Sequence, residues 1–238
     1  MSQFDKEKVC IKTRKVFDWV TRQVDVPLIS ISNGDLNDKF VCRKNGQKDV
    51  EDICKFLEKH DLEPEDFVVN CFLSDAHGRK IDPVVDNEEF ICQEIIQPNG
   101  RQPITVTLPS GEEVTLQKVK VLVKGHVTVE ILDSMGDVVC KSCPIPFATA
   151  QTFLLCAPEG TALDCRITFF ECDASLVCTS DFSQLDVSVT LCLDVQMEAD
   201  VKLEVEARFC KPRKEIEAAT LCPTDIFPPQ CPEVFPAR

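Results

Sequence analysis

Fifteen cysteines are spread along the 238 residues of the chain, and they carry its most distinctive chemistry. A cysteine thiol can form a disulfide, ligate a metal ion or act as a nucleophile. Because fifteen is an odd number, the cysteines of one chain cannot all pair with one another. We therefore expect at least one thiol to be free, bound to a metal or joined to a second chain.

Cys140 and Cys143, in the sequence CKSC, are the only two cysteines separated by two residues. A structural zinc site would need a second such pair, or histidines at matching spacing, and neither is evident. A redox motif of the thioredoxin type would need a strand followed by a helix, whereas proline and β-forming residues follow here. We expect these two cysteines to form a disulfide with each other in a loop, with a zinc site as the alternative.

A cysteine nucleophile would need a histidine as its base, and the three histidines are scattered. His60 ends an expected helix, His77 precedes a glycine in an expected turn, and His126 follows a glycine at another. The sequence also lacks the serine-hydrolase, phosphate-loop and zinc-protease motifs. We predict that the protein is not an enzyme and needs no cofactor. A thiol-dependent enzyme that uses Cys140 or Cys143 is a further alternative.

The alternation of side chains along an expected strand, residues 201–213, places one cysteine on the polar face. Apolar residues alternate with charged ones in VKLEVEARFCKPR, and Cys210 falls with the charges. Cys192 likewise falls with polar residues, whereas Cys71 and Cys54 share the apolar faces of their segments. Cys192 and Cys210 are therefore expected either to staple neighbouring strands or to reach another chain.

The end of the chain, residues 222–238, is rich in proline and is predicted to be an extended arm. Cys222 and Cys231 lie in this arm, and Cys10 lies in an expected arm at the other end of the chain. An arm reaches across to a neighbour at little energetic cost. We expect these three cysteines to form bonds between subunits.

The elements that position these cysteines are mostly strands. Residues 12–24 are predicted to form a short amphipathic helix, with a strand as the alternative, and residues 49–60 a second helix. Asn33-Gly34 is typical of a tight hairpin. Short segments rich in Val, Ile, Thr and Phe follow, including separate strands before and after a turn at Gly125–His126.

The predicted fold class is mainly β: one or more β-sandwich or jelly-roll domains with one or two short N-terminal helices and a proline-rich C-terminal arm. The cluster of Pro, Asn and Gly at residues 97–103 indicates a domain boundary. We divide the chain into an N-terminal α+β region with a terminal arm (1–100), a β-sandwich or jelly-roll domain (101–215) and the arm (216–238).

The net charge of −14 argues against nucleic acid as a partner, because nucleic-acid sites are basic. The chain lacks an apolar run of the roughly 18 residues that a membrane helix needs. Its N-terminus is charged and does not resemble a secretory signal. A chain without a signal is expected in the reducing cytosol, where disulfides are rare, which conflicts with the cysteine content.

Three stretches within residues 100–215 resemble the cysteine-rich proteins of endospore-forming bacteria, a group similar in character to spore coat, exosporium and endospore-appendage subunits. They are ITVTLPSGEEVTLQKVKVLVKGHVTVEI, FLLCAPEGTALDCRITFFEC and DVSVTLCLDVQMEADVKLEVEARFCKPR.

The resemblance implies synthesis in the cytoplasm without a signal peptide, followed by assembly and oxidation on the spore surface. It implies a structural subunit that self-assembles into a layer or fibre and is linked by disulfides to other copies of itself, with other spore surface proteins as further candidate partners. The alternative is a cytosolic β-sandwich binding module whose thiols are reduced or bound to a metal.

Overall fold

Two antiparallel sheets and two short helices make up the part of the chain that the structure describes. The structure is a computed structural model, and it describes residues 7–44, 47–49, 52–60, 62, 67–86, 88–107, 109–179 and 181–207. The predicted mainly-β, sandwich-like fold is confirmed. Within these residues neither helix, of five and seven residues, is long enough to cross a membrane.

The larger sheet is organised around one long strand, β8. It is flanked on one side by β10 and on the other by three short strands in succession, β7, β6 and β5. The bounds are β5 (Val68–Ser74), β6 (Ile91–Glu94), β7 (Gln102–Thr107), β8 (Glu113–Leu132) and β10 (Ile145–Leu155). Three more strands extend the sheet in the order β9, β3, β4 from β8: β3 (Phe40–Lys44), β4 (Gln47–Asp49) and β9 (Val138–Ser142).

The prediction of a turn at Gly125–His126 is wrong, because β8 runs through both residues without a break. Gly125 lies opposite Phe147 of β10, and a Cβ atom at position 125 would be 2.8 Å from the Phe147 ring Cζ. Such a contact is too close for two carbon atoms. The glycine therefore makes room for a buried ring rather than for a change of chain direction.

The smaller sheet contains the longest strand, β12, which lies between β11 on one side and β1 and β2 on the other. The bounds are β1 (Glu7–Asp25), β2 (Ile29–Ser32), β11 (Ala162–Cys178) and β12 (Ser183–Ala207). Every second residue of β12 from Leu185 to Met197 is buried, and these side chains join the core with those of β8 and β10. The segment that carries Cys192 and the described part, residues 201–207, of the strand expected over residues 201–213 both belong to this one strand.

The predicted helix at residues 12–24 is wrong, and the alternative, a strand, is confirmed. Val16, Phe17, Val20 and Val24 fit helical spacing, but three of the four are β-branched. Pairing with β12 supplies the backbone hydrogen bonds, and burial of Val24 against the core outweighs the weak local preference for helix.

The tight hairpin predicted at Asn33-Gly34 is also wrong, because a short helix, α1 (Asn33–Asn37), begins there. Asn33 has a φ of 48°, a left-handed conformation that asparagine tolerates better than most residues. The Asn33 Oδ1 accepts a hydrogen bond from the backbone N–H of Ser183 at 3.2 Å. The asparagine thus serves a tertiary contact instead of a two-residue turn.

The helix predicted at residues 49–60 is confirmed as α2 (Ile53–Lys59). The Asp52 carboxylate caps it by accepting hydrogen bonds from the backbone N–H groups of Cys54 and Lys55, at 2.9 and 3.2 Å. Ile53, Phe56 and Leu57 are buried on one face of the helix.

The chain divides into two compact units. Residues 12–201 form one unit, and it contains the whole core cluster and all four disulfides described below. Residues 1–11 and 202–238 form the other, of which residues 7–11 and 202–207 are described. The domain boundaries given by the sequence stay a prediction, and the predicted C-terminal arm lies outside the described residues.

Candidate functional site: internal disulfides and exposed thiols

Eight cysteines form four disulfides within the residues that the structure describes. Their Cα–Cα separations range from 4.0 to 5.7 Å, and the two members of each pair are 73 to 124 residues apart in sequence. Each disulfide therefore closes a long loop of the unfolded chain. The pairs are Cys42–Cys140, Cys54–Cys178, Cys71–Cys172 and Cys92–Cys165.

Two of these disulfides join the two sheets to each other. Cys71 of β5 bonds to Cys172 of β11, and Cys92 of β6 bonds to Cys165 of the same strand. Strands β5 and β6 belong to the larger sheet and β11 to the smaller one. The covalent bonds thus hold together two layers that would otherwise be joined mainly by side-chain packing.

A third disulfide holds helix α2 to the end of β11, through Cys54 and Cys178. We expected Cys54 and Cys71 to contribute to the core as small apolar residues. Both are partly buried against the core, and in addition both are disulfide-bonded. Strand β11 therefore supplies one cysteine to each of three disulfides.

An irregularity in β11 allows its cysteines to act together. The register with β12 shifts between Ile167 and Phe169, which inserts one extra residue into β11. Cys165 and Cys172 are seven residues apart and would lie on opposite faces of a regular strand. The extra residue reverses the alternation, so both sulfurs face the larger sheet.

The fourth disulfide, Cys42–Cys140, joins the adjacent strands β3 and β9, where the two residues are register partners. The predicted disulfide between Cys140 and Cys143 is therefore wrong. Residues three apart along an extended chain are separated by about 10 Å and point to opposite faces. A disulfide cannot span Cα atoms more than about 7 Å apart.

Four cysteines of the described residues remain outside these disulfides. Cys10, Cys143 and Cys156 are exposed, and Cys192 is half-buried. Cys10 lies within β1 rather than in a terminal arm, which corrects its predicted placement. The predicted cross-linking residues Cys210, Cys222 and Cys231 lie outside the described residues.

Cys192 lies on the outward-facing side of β12, as the alternation predicted. Its register partner on β11 is Phe169, whose side chain is also exposed. Cys192 does not form a disulfide with a neighbouring strand of its own sheet, because it has no disulfide partner among the described residues. The thiol is thus placed on a sheet surface rather than in the core.

No role was predicted for Cys156 from the sequence. It follows β10, and its backbone N–H donates a hydrogen bond to the Asp18 carboxylate of β1 at 2.8 Å. The sequence places Cys156 at the end of an apolar run, FLLC, which gave no sign that its side chain would be exposed.

Cys143 lines an open cavity of about 470 Å³ together with His77, Arg43 and Lys141. His60 and His126 do not line this cavity. Lys141 also forms an ion pair with Glu130 at 2.9 Å. Of the three histidines, His77 is thus the one that the fold places in the same cavity as a free thiol.

The turn that carries His77 is fixed by a buried carboxylate. One oxygen of Asp75 accepts hydrogen bonds from the backbone N–H groups of His77 and Arg79, both at 2.8 Å, and the other accepts from the Arg79 Nε at 2.6 Å. The backbone hydrogen bond from Arg79 is the largest cause that lowers the pKa of Asp75 to about 2. Gly78 completes the turn with a φ of 77°.

The Asp75→Asn variant should be less stable than wild type at neutral pH, and this difference in stability should be smaller in acid. A carboxylate whose folded pKa is lowered stabilises the fold above its unfolded pKa of about 3.9, and this contribution disappears as the pH falls towards 2. The difference in urea midpoint between wild type and variant should therefore narrow between pH 4 and pH 2. Asp173→Asn, at an exposed position, is the control. A difference that does not change with pH would contradict this role of Asp75.

Arg101 makes the densest polar contact in the structure. Its guanidinium donates to both oxygens of Glu94, at 2.8 and 2.7 Å, and to Ala157 O, Thr161 Oγ1 and Thr161 O, at 3.3, 2.8 and 2.9 Å. All five N–H donors of the side chain are used. The hydrogen bond to Glu94 is the main cause that raises the pKa of Arg101. The contact joins the end of β6 to the loop before β11, close to the Cys92–Cys165 disulfide.

No group of three or more His, Cys, Asp or Glu side chains in the described ranges is arranged to hold a metal ion. Cys140, part of the zinc alternative, is in a disulfide and so has no thiolate to offer.

The fold and the four disulfides define a disulfide-stapled β-sandwich with further thiols at its surface. No protein-family model matches the chain, and neither a curated protein nor a solved structure matches it.

Proposed function

We propose that the protein is a non-enzymatic structural subunit that self-assembles and becomes cross-linked between chains by disulfides, as part of a spore surface layer or fibre. The observation that carries the proposal is the division of the cysteines. Among the described residues, eight cysteines close disulfides inside the chain, while Cys10, Cys143 and Cys156 are exposed and have no disulfide partner there. Internal pairing thus leaves thiols at the surface, where they can meet those of another chain.

The four internal disulfides support an oxidising environment for the mature protein. In that environment exposed thiols on neighbouring chains oxidise to disulfides, with two electrons passing to the oxidant and one proton released from each thiol. The spore surface, which the resemblance implies, becomes oxidising once the surrounding cell lyses. The proposal therefore reconciles synthesis in a reducing cytoplasm with a disulfide-rich product.

The distribution of the internal disulfides also suits a structural role. Each one is expected to stabilise the fold by several kcal/mol, and together they hold both sheets and α2 in place. A subunit built in this way keeps its shape when heat or denaturant weakens hydrophobic packing. A protein of a durable surface layer needs that property.

Non-reducing electrophoresis of oxidised protein tests the proposal with two sets of serine variants. One set changes the described surface thiols, Cys10, Cys143, Cys156 and Cys192, and the other changes Cys210, Cys222 and Cys231. We expect wild type to give a ladder of multimers that collapses to monomer with reductant. The combined seven-serine variant should give monomer alone, and the two separate sets show which thiols form the links.

A single monomer band from oxidised wild type would contradict the proposal, as would a ladder that persists in the seven-serine variant. Electron microscopy of concentrated wild type should show fibres or sheets. Dispersed particles at every concentration would favour the cytosolic binding module instead.

A further inference from the structure

Strand β7 and the beginning of β8 extend beyond the end of the neighbouring strand β10. The ladder between β10 and β8 ends where Leu155 pairs with Gln117, whereas β7 pairs with β8 as far as Glu113. Over residues 113–116 of β8, β7 is therefore the one described strand beside it. We call β7 and residues 113–116 the hairpin. A two-stranded hairpin is only marginally stable by itself and gains from further strands.

One hydrogen bond beside β7 fixes the direction of the backbone groups of β8. The backbone N–H of Ile95 donates to the Lys120 carbonyl oxygen at 2.8 Å. Backbone groups of successive residues point to opposite edges of a strand, so even-numbered residues of β8 in this region point towards β6 and β7. The ladder places even-numbered residues of β7 opposite even-numbered residues of β8, for example Ile104 opposite Leu116. The even-numbered residues of β7 therefore make the hydrogen bonds of this ladder.

The odd-numbered residues of β7 direct their backbone groups to a free edge. They are Pro103, Thr105 and Thr107, and this edge has no ladder partner among the described residues. Because proline has no N–H, the edge offers the N–H groups of the two threonines and the C=O groups of all three residues. An edge of this kind accepts an added strand.

The edge of β7 also lacks the protection that the edge of β10 has. Charged side chains commonly prevent strand addition at an edge. At β10 the Arg22 guanidinium donates to the Thr152 carbonyl oxygen at 3.0 Å, and the Asp18 carboxylate accepts from the Cys156 N–H at 2.8 Å. The sequence of β7, QPITVT, contains no charged residue. Within the part of the chain that the structure describes, no side chain covers the edge of β7 in this way.

The hairpin carries apolar side chains that the core does not cover. Ile104 lies opposite Leu116 and Val106 opposite Val114, and residues directly opposite in an antiparallel pair share a face. All four side chains are half-buried. They belong neither to the core cluster nor to the side chains packed against it. This face of the hairpin is thus partly open to water, and a further strand would extend it and cover part of it.

We propose that β7 of a second copy of this chain adds to this edge, antiparallel and across a two-fold axis beside Thr105. Thr105 of each copy then lies opposite Thr105 of the other, and Ile104 lies opposite Val106. The Thr105 N–H of each copy donates to the Thr105 C=O of the other, and the Thr107 N–H donates to the Pro103 C=O. This inference rests on the self-assembly in the proposed function, but not on the disulfides between chains.

A second copy suits this edge because β7 is nearly symmetrical about Thr105. At the three central positions of the pairing, β-branched residues lie opposite β-branched residues, which are the residues that strands favour. A threonine opposite a threonine on a neighbouring strand is itself a stabilising pair. The chain has a net charge of −14, yet no two charges face each other along this ladder. Copies that repel each other elsewhere can therefore meet here.

The pairing needs only the edge of β7. The ladder runs from residue 103 to residue 107, and after residue 107 each chain turns back into its own β8, away from the axis. The added strand therefore ends before β6, which pairs with residues 121–124 of β8. All the residues involved belong to the compact unit of residues 12–201.

This contact joins the same edge of both copies, so it is isologous and closes at two copies. The larger sheet of one copy continues into that of the other. Each dimer presents two copies of every surface thiol. Disulfides between dimers then extend the assembly, while the pairing of β7 sets its repeating unit.

The seven-serine variant isolates this contact, because it cannot form disulfides between chains and retains the four internal ones. Sedimentation velocity should show that it dimerises. In this background Thr105→Lys and Thr105→Glu should each raise the dimer Kd by about tenfold or more, because like charges then face each other across the axis. An equimolar mixture of the two should regain the dimer, because opposite charges then face each other.

Thr115→Lys and Thr115→Glu in the same background are the matched controls. Thr115 is exposed and lies opposite Thr105 on β8. Its charge would be three strand spacings, roughly 14 Å, from its copy across the axis, which is beyond the screening length at physiological salt. Both controls should dimerise like the seven-serine variant. Regained dimer in the Thr105 mixture also shows that both of its components are folded.

Three results would overturn the pairing of β7. One is a mixture of Thr105→Lys and Thr105→Glu that dimerises no better than its components. Another is a dimer that neither substitution weakens, because the second copy then lies on another surface. The third is a seven-serine variant that stays monomeric at every concentration.

These results are distinguishable from failure of the proposed cross-linking. If the seven-serine variant is monomeric and oxidised wild type still gives a disulfide ladder, the pairing of β7 is wrong while cross-linked assembly stands. If the seven-serine variant dimerises and wild type gives no ladder, the pairing stands and the cross-linking between chains is wrong.

Discussion

Removal of the Cys71–Cys172 disulfide by changing both residues to alanine should lower the free energy of unfolding by about 3–4 kcal/mol. The Cys92–Cys165 disulfide lies inside the loop that Cys71–Cys172 closes, so the additional loop closed by the outer disulfide is about 28 residues. Removal of both inter-sheet disulfides should cost about 8 kcal/mol, which is comparable with the whole stability of an ordinary domain.

Urea unfolding, followed by circular dichroism, measures this loss. Cys156→Ala removes an exposed cysteine that forms no disulfide with any described residue, and it should change the stability by less than about 0.5 kcal/mol. The variant that lacks both inter-sheet disulfides has four cysteines changed to alanine. If its free energy of unfolding falls no more than that of the Cys156→Ala control, the disulfides do not hold the two sheets together.

The Arg101→Met variant should lower the free energy of unfolding by about 2–3 kcal/mol. The side chains of Arg101 and Glu94 are only 18% and 19% exposed, so the substitution leaves the Glu94 carboxylate largely shielded from water without its cation. Arg101→Lys keeps the charge but cannot reproduce five directed hydrogen bonds, so it should recover only part of the loss.

The control for Arg101 is Arg166→Met, which removes a more exposed ion pair with Asp164 at 3.0 Å. That pair should be worth less than about 1 kcal/mol, because water screens it. Thermal and urea unfolding compare the three variants with wild type. If Arg101→Met and Arg166→Met lower the free energy of unfolding equally, the contacts of Arg101 do not hold β6 to the loop before β11.

Much of the sandwich could be predicted from the sequence, since the alternation in β12 and the helical spacing in α2 are regular over many residues. The hairpin and turn predictions failed where a residue suited to a turn serves a tertiary contact. Asn33 accepts a hydrogen bond from Ser183, and Gly125 accommodates the ring of Phe147. Such contacts depend on residues far away in sequence.

The cysteine pairs could not be predicted, because disulfide connectivity is a property of the fold. The register shift after Ile167 reverses the alternation in β11, so counting every second residue would give the wrong face beyond that point. The outward position of Cys192 was predicted, because β12 continues in a single alternation from Leu185 to Met197. The contacts of Arg101 were not predicted, because it lies in a segment rich in proline and glycine, which is typical of a loop.

The central claim is that one set of cysteines closes disulfides inside the chain while another set links chains. Peptide mass spectrometry of oxidised, non-reduced protein tests it directly. Mixing unlabelled with ¹⁵N-labelled chains before oxidation distinguishes links between chains from those within a chain. We predict Cys42–Cys140, Cys54–Cys178, Cys71–Cys172 and Cys92–Cys165 within single chains, with mixed-isotope disulfides confined to the other cysteines. Other internal pairings, or an absence of mixed-isotope disulfides, would contradict the account.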